Sequence, residues 1–210
     1  MPATPAPDPA AAFDAIGASY EDAFAGSPAR RASLDRLQEH LAPGSRILDI
    51  GCGTGRPTAS TLAAAGHDVL GIDVSPVMVA LAVDRVPGGT FRRADIRELP
   101  LEEESYDAVC AYFSLLQMDR ADQIRVLHRI TRALAPGGLL AVGTVPLDVE
   151  NFDAEFMGSP IRFTSFGAEP FKDLLVRSGL TVLWEHQGHY TPRLPDAEPE
   201  AEQFLVCRRT

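Results

Sequence analysis

The chain is 210 residues long, 45% hydrophobic and 23% charged, which suits a single globular domain with a sizeable core. A formal net charge of −10 argues against a nucleic-acid backbone as partner, because proteins that bind one usually present a basic face. No run approaches the ~20 apolar residues of a membrane span. Cys52, Cys110 and Cys207 are far apart in sequence, so they give no zinc-binding pattern and suit a reducing compartment.

Residues 1–12 carry prolines at 2, 5, 7 and 9 and are expected to lack regular structure. They also lack the basic start and apolar stretch of a secretory signal, so the expected location is the cytoplasm. Residues 13–210 then read as one domain. Phe13, Ile16, Tyr20 and Phe24 recur at helical spacing and predict a first helix. Ser27-Pro28 opens a second, cap followed by N1 proline, with Leu34, Leu37 and Leu41 as its stripe and Pro43-Gly44 as its stop. Residues 13–42 thus form an expected helical cap.

The apolar run Ile47-Leu48-Asp49-Ile50 reads as a buried strand, and glycines follow at 51, 53 and 55. A helix from Pro57 to Ala65 comes next, stopped by Gly66. Strand, glycine turn and helix start together present backbone N–H groups to a ligand. A dinucleotide fold would place its third glycine at 56, where Arg56 stands. Cys52, in the turn, reads as a small residue in a crowded loop, since no base stands beside it to activate a nucleophile.

Strand and helix then alternate, the pattern of a parallel sheet. Strands are expected at 69–73, 90–96, 106–113 and 139–145, and helices at 76–85 and 119–134. Asp73 ends the second strand, where a carboxylate can accept both hydroxyls of a ribose. Glu102 to Glu104 form a solvated acidic turn, and His128 falls on the outer face of its helix. Residues 146–166, rich in phenylalanine, read as an irregular loop that walls or covers a substrate, packs on the first helices, or both. A helix over 170–178 and strands over 180–190 and 203–208 close the chain, the strands joined by a proline-rich acidic loop.

Asp49-Ile50-Gly51-Cys52-Gly53-Thr54-Gly55 resembles motif I of the class I S-adenosylmethionine-dependent methyltransferases. Gly71-Ile72-Asp73-Val74-Ser75-Pro76 resembles motif II, Ala94-Asp95-Ile96 motif III, and Ala111-Tyr112-Phe113 with Ser114 to Met118 motif IV. Leu134-Ala135-Pro136-Gly137-Gly138-Leu139-Leu140 resembles the turn before strand five. These landmarks stand in family order over residues 47–145. The resemblance implies an α/β, Rossmann-like sheet of seven mostly parallel strands with an antiparallel C-terminal hairpin and helices on both faces. It implies S-adenosyl-L-methionine as cofactor and S-adenosyl-L-homocysteine as product. By the same resemblance Asp49 would organise the loop of Gly51, Cys52, Gly53, Thr54 and Gly55. Asp73, Val74 and Met78 would take the ribose side, and Asp95 and Ile96 the adenine. Ala111, Tyr112 and Phe113 would pass the sulfonium. Tyr20 would close the mouth or serve only as core.

Many small-molecule members carry a histidine near 116–117, where this chain has Leu116 and Gln117. Gln117, His189 and Tyr190 are therefore the candidate catalytic residues, with His186 and Asp119 as further proton acceptors that the sequence does not rank. The absence of an appended recognition domain points to a small-molecule or short-peptide acceptor, and the resemblance to stand-alone enzymes of bacterial secondary metabolism. No metal, nucleic-acid or membrane partner is expected. The rival reading is a methyltransferase-like protein that keeps the cofactor as scaffold.

Overall fold

The computed structural model describes residues 7–210. The first six residues of the expected tail lie outside the described residues. Its remainder is not irregular: Pro9–Ile16 is a helix, α1, with the Asp8 carboxylate accepting the Ala10 N–H at 3.0 Å. Proline is tolerated at the first helical position, and three alanines follow it. The expected first helix is also divided. Gly17 takes φ +51 and caps α1, and the chain restarts as α2, Ser19–Phe24. Helix α3, Pro28–Gln38, opens on the Ser27 hydroxyl as the cap–proline pair predicts, and it ends before Leu41.

Strand β1, Arg46–Ile50, is followed by α4 (Thr58–Ala64), β2 (Asp68–Asp73), α5 (Pro76–Arg85) and β3 (Thr90–Arg93). Then come β4 (Tyr106–Tyr112), α6 (Arg120–Ala133) and β5 (Leu134–Thr144). After a hairpin of β6 (Val149–Phe156) and β7 (Ser159–Ser165), the chain ends in α7 (Ala168–Arg177), β8 (Leu180–Tyr190) and β9 (Glu200–Arg209). The main sheet runs β3-β2-β1-β4-β5-β9-β8, parallel except for the antiparallel β9 and its partners on either side. Strand order reverses between β1 and β4, and a sheet of this kind binds ligands at that switch point, beyond the carboxyl ends of its strands.

Alternation along each strand divides the interior. Ile47, Val69, Ala108, Cys110, Leu139, Ala141, Phe204 and Val206 pack under α3 and α4. Their neighbours Leu48, Ile72, Val109, Leu140, Val142, Leu205 and Cys207 pack under α6 and α7. Helices therefore cover both faces.

Residues 146–166 correct a second expectation, since most of them form the β6–β7 hairpin. Phe156 pairs with Ser159, leaving Met157-Gly158 as a two-residue turn with both φ values positive, +51 and +78. That is the mirror-image turn whose twist suits a hairpin. The hairpin is tied down at its root: Thr164 donates its N–H to Leu116 O at 2.8 Å, and the Gln123 amide donates to Thr164 O at 2.8 Å.

Candidate active site

The glycine turn leaves β1 in left-handed backbone, with φ of +64, +54 and +78 at Gly51, Gly53 and Gly55. A Cβ on Gly51 would overlap that of Ser114, so the turn can approach the β4 end only without a side chain there. The Gly53 N–H and the Ser75 N–H each donate to the Asp73 carboxylate at 2.9 Å. Burial holds the Asp73 carboxyl above its usual range, and these backbone bonds offset only part of that rise. At the end of β4, Phe113 sits at φ +58, with its N–H donating to Gly143 O at 2.7 Å. A bulky residue is strained in that region, and the bond to β5 holds it there.

A cavity of about 470 Å³ lies over this turn. Of the predicted cofactor residues, Tyr20, Gly51, Cys52, Gly53, Asp73, Val74, Met78, Asp95, Ile96, Tyr112 and Phe113 are on its wall. Asp49, Thr54, Gly55 and Ala111 are not. Ala111 is wholly buried in the core beneath α6, because alternation along β4 turns it away from the α3 side. Thr54 is buried against α2, donating its hydroxyl to Glu21 at 2.8 Å. Gly55 packs against α5, where a Cβ would meet Val86 at 2.8 Å. Asp49 is buried directly beneath the turn, and its Oδ2 has no hydrogen-bond partner among the described residues. Burial lifts its carboxyl to about 7 against the pull of Arg30, with Asp73 adding to the rise. Asp95 is on the wall, but its oxygens are engaged by the Arg97 guanidinium, at 2.6 to 3.1 Å. Burial alone would raise Asp95; Arg97 outweighs it and holds the carboxyl below its usual value. Burial together with the carboxylates of Asp49 and Asp73 pushes the Cys52 thiol far up, which fits the small-residue reading.

A second cavity, about 460 Å³, adjoins the first; the two share Phe13, Tyr20, Arg30, Phe113 and Gln117. Phe24, Phe156, Ile161 and Phe163 give it an apolar wall, and His189 and Tyr190 stand on it. The Tyr190 hydroxyl donates to Ala23 O at 3.2 Å, tying β8 to α2. Two further proton acceptors fall away: Asp119 caps α6, accepting the Asp122 N–H at 2.7 Å, and exposed His186 stacks on Trp184. Neither lines either cavity.

Sequence reading overlooks Arg30, Ser114 and Glu202. Arg30 is 7% exposed, lies over the Tyr112 ring with 5.2 Å to its centroid, and donates from Nη2 to Thr58 at 3.2 Å. Its Nε has no partner among the described residues, and neither has the Ser114 hydroxyl. An arginine in a mostly polar helix carries no signal of this kind. The sequence places Glu202 in the loop before the last strand, whereas it is inside β9 and 6% exposed.

The N-terminal cap is fastened to the turn at named points. Glu21 on α2 pairs with Arg85 and, at 3.7 Å, with Arg56. Asp14 on α1 accepts the Ser75 hydroxyl at 2.5 Å. Phe156 at the hairpin tip lies 5.7 Å from Phe24 and 6.4 Å from Tyr20, ring to ring. Cap and hairpin thus meet above the two cavities.

Residues 47–138 match the family model for a methyltransferase domain. An O-methyltransferase of Pyrenophora dematioidea is 32% identical over 164 residues, 71% of this chain and 58% of that protein. The chain spans about half the length of the curated relatives it matches. Among solved structures, a S-adenosylmethionine-dependent methyltransferase of Methanosarcina mazei superposes with a TM-score of 0.71 at 19% identity, covering 83% of this chain and 96% of that one. The cyclase SpnF gives 0.65 at 25% identity, covering 86% and 80%. Residues 47–138 are thus a methyltransferase domain by sequence, and the sheet order and these likenesses give the chain the fold of the class I S-adenosylmethionine-dependent methyltransferases.

Proposed function

We propose that this chain transfers a methyl group from S-adenosylmethionine to an oxygen or nitrogen of a small molecule, of the kind bacteria tailor in secondary metabolism. The observation that carries the reading is the pair of adjoining cavities with Tyr20, Arg30, Phe113 and Gln117 at their seam. Cavities that meet at that seam would put an acceptor within reach of the cofactor's sulfur, which methyl transfer requires and a scaffold role does not.

The first cavity fits the cofactor on the chemistry of its walls. Asp73 offers a carboxylate for ribose hydroxyls. On the same wall the orphaned Nε of Arg30 and hydroxyl of Ser114 suit a ligand carboxylate. Bound there, the cofactor supplies a methyl on a positively charged sulfur. The chain's own residues then have to align the acceptor and exclude water. The rings of Phe13, Tyr20, Phe24 and Phe156 close the seam from above. Gln117 can orient a hydroxyl or amine through its amide but cannot take a proton.

The test is to incubate the chain with methyl-labelled S-adenosylmethionine and a panel of small phenols, alcohols and amines. Label on an acceptor with stoichiometric release of S-adenosylhomocysteine supports the reading. Tight cofactor binding with no label transferred across the panel favours the scaffold alternative, to which the likeness to SpnF lends weight.

A further inference from the structure

The second cavity contains a carboxylate that the reaction outlined above does not use. Glu202 on β9 is 6% exposed and lines that cavity. Its Oε2 accepts the Ser27 hydroxyl at 3.3 Å. Oε1 has no hydrogen bond, and no cation stands within ion-pair distance, among the described residues. Across the hairpin Glu202 is paired with Gly188, and the His186 ring leans over that glycine without making a hydrogen bond or ion pair to Glu202 among the described residues. Two more carboxylates, Glu155 and Glu200, stand exposed on the wall of the same cavity. The facing basic groups are Arg30, committed to Thr58 and the Tyr112 ring, His186 over Gly188, and His189 at the exposed end of β8.

Buried charges in folded proteins are paired or bind ions. Burial raises the Glu202 carboxyl, and only the Ser27 hydroxyl and the fields of His186 and His189 oppose it. Aromatic side chains share that wall, Tyr20, Phe24, Phe156 and Tyr190 among them, and ring faces attract cations as well as apolar groups. An unpaired carboxylate behind a wall of rings is the pattern that recognises an ammonium.

Resting on the methyltransferase reading of this site, we infer that the acceptor is an apolar molecule carrying a protonated amine, which Glu202 anchors. An amine so held has no free lone pair, so the methylated atom is a different one, presented at the Phe113–Gln117 seam. Glu202 is then a positioning and selecting residue, and the carboxylates at 155 and 200 draw the cation inward.

Calorimetry on the full chain saturated with S-adenosylhomocysteine tests this, with 2-phenylethylamine and 2-phenylethanol as probes of equal apolar body. The amine should bind about tenfold tighter or more, the difference a charge-assisted bond makes. Glu202→Gln should bring the amine down to the alcohol's level, and Glu202→Asp should keep part of the preference. Both variants should bind S-adenosylhomocysteine as the wild type does, which also shows that they fold. No measurable amine binding, equal affinity for the two probes, or a preference that survives Glu202→Gln would overturn the inference. Failure of the wild-type chain to bind S-adenosylhomocysteine would overturn the methyltransferase reading, and this inference with it.

Discussion

Gly51 and Gly53 are neighbours in one turn, yet substituting them should have unequal consequences. Both have positive φ, so alanine at either costs about 1–2 kcal/mol in the left-handed region. At Gly53 an added Cβ meets nothing within 4 Å, whereas at Gly51 it overlaps the Ser114 Cβ. Overpacking of that kind costs roughly 1–3 kcal/mol more. Gly51→Ala should therefore lose about 3.5 kcal/mol and Gly53→Ala about 1.5. In a protein of this size each kcal/mol lowers the melting temperature by about 2–4 °C. The expected drops are then about 10 °C and about 4 °C, read by circular dichroism without ligand. Ser114→Gly removes the obstructing carbon, so the cycle of Gly51→Ala with Ser114→Gly should show a coupling of about 1–3 kcal/mol. Equal losses at the two glycines, or additivity in the cycle, would refute close approach of the turn to the β4 end.

Further predictions concern groups around the turn. With its folded-state carboxyl at about 7, Asp49 binds a proton more tightly in the folded chain than in the unfolded one. Its stabilisation is full below about pH 4 and is lost as pH rises through about 7, a change of about 4 kcal/mol. Asp49→Asn should melt above the wild type at pH 8, with the gap closing towards pH 4; parallel profiles would contradict the burial argument. Asp73→Ala removes the acceptor of two backbone N–H groups and of the ribose, and should weaken S-adenosylhomocysteine binding about 100-fold or more by calorimetry. Glu21→Ala should speed hydrogen exchange across residues 9–25 and weaken cofactor binding, since Thr54, Arg56 and Arg85 lose their common partner. The three buried thiols should resist alkylation in the native chain at pH 8 and react only on unfolding.

The parallel core was legible because each strand carries its own signal. Runs such as Ile47 to Ile50 and Val69 to Asp73 are apolar and end in the residues that face the switch point. The cap at Ser27 was legible too, since a hydroxyl before a helix-opening proline has one local use, whereas Asp119, read as a proton acceptor, is a cap as well. The hairpin of β6 and β7 was not, because Phe152, Phe156 and Phe163 suit a loop wall as well as a strand, and Met157-Gly158 is a weak turn signal. Helix α1 was hidden by the prolines that lead into it, although Pro9 at its first position does no harm. The residues left unread share a cause. Arg30 and Glu202 are charged groups whose burial comes from elements far away in sequence: Arg30 is held by Thr58, and Glu202 by Ser27. No local pattern announces such a contact.

The central claim is that the first cavity holds the cofactor with its sulfur at the seam and the second holds the acceptor. A crystal structure of the chain soaked with S-adenosylhomocysteine tests it most directly. The account predicts ribose hydroxyls on Asp73 and a sulfur that opens between Tyr20, Phe113 and Gln117 onto the cavity walled by Phe156, His189 and Tyr190. A sulfur sealed from that cavity by side chains would contradict it and make the cofactor a scaffold.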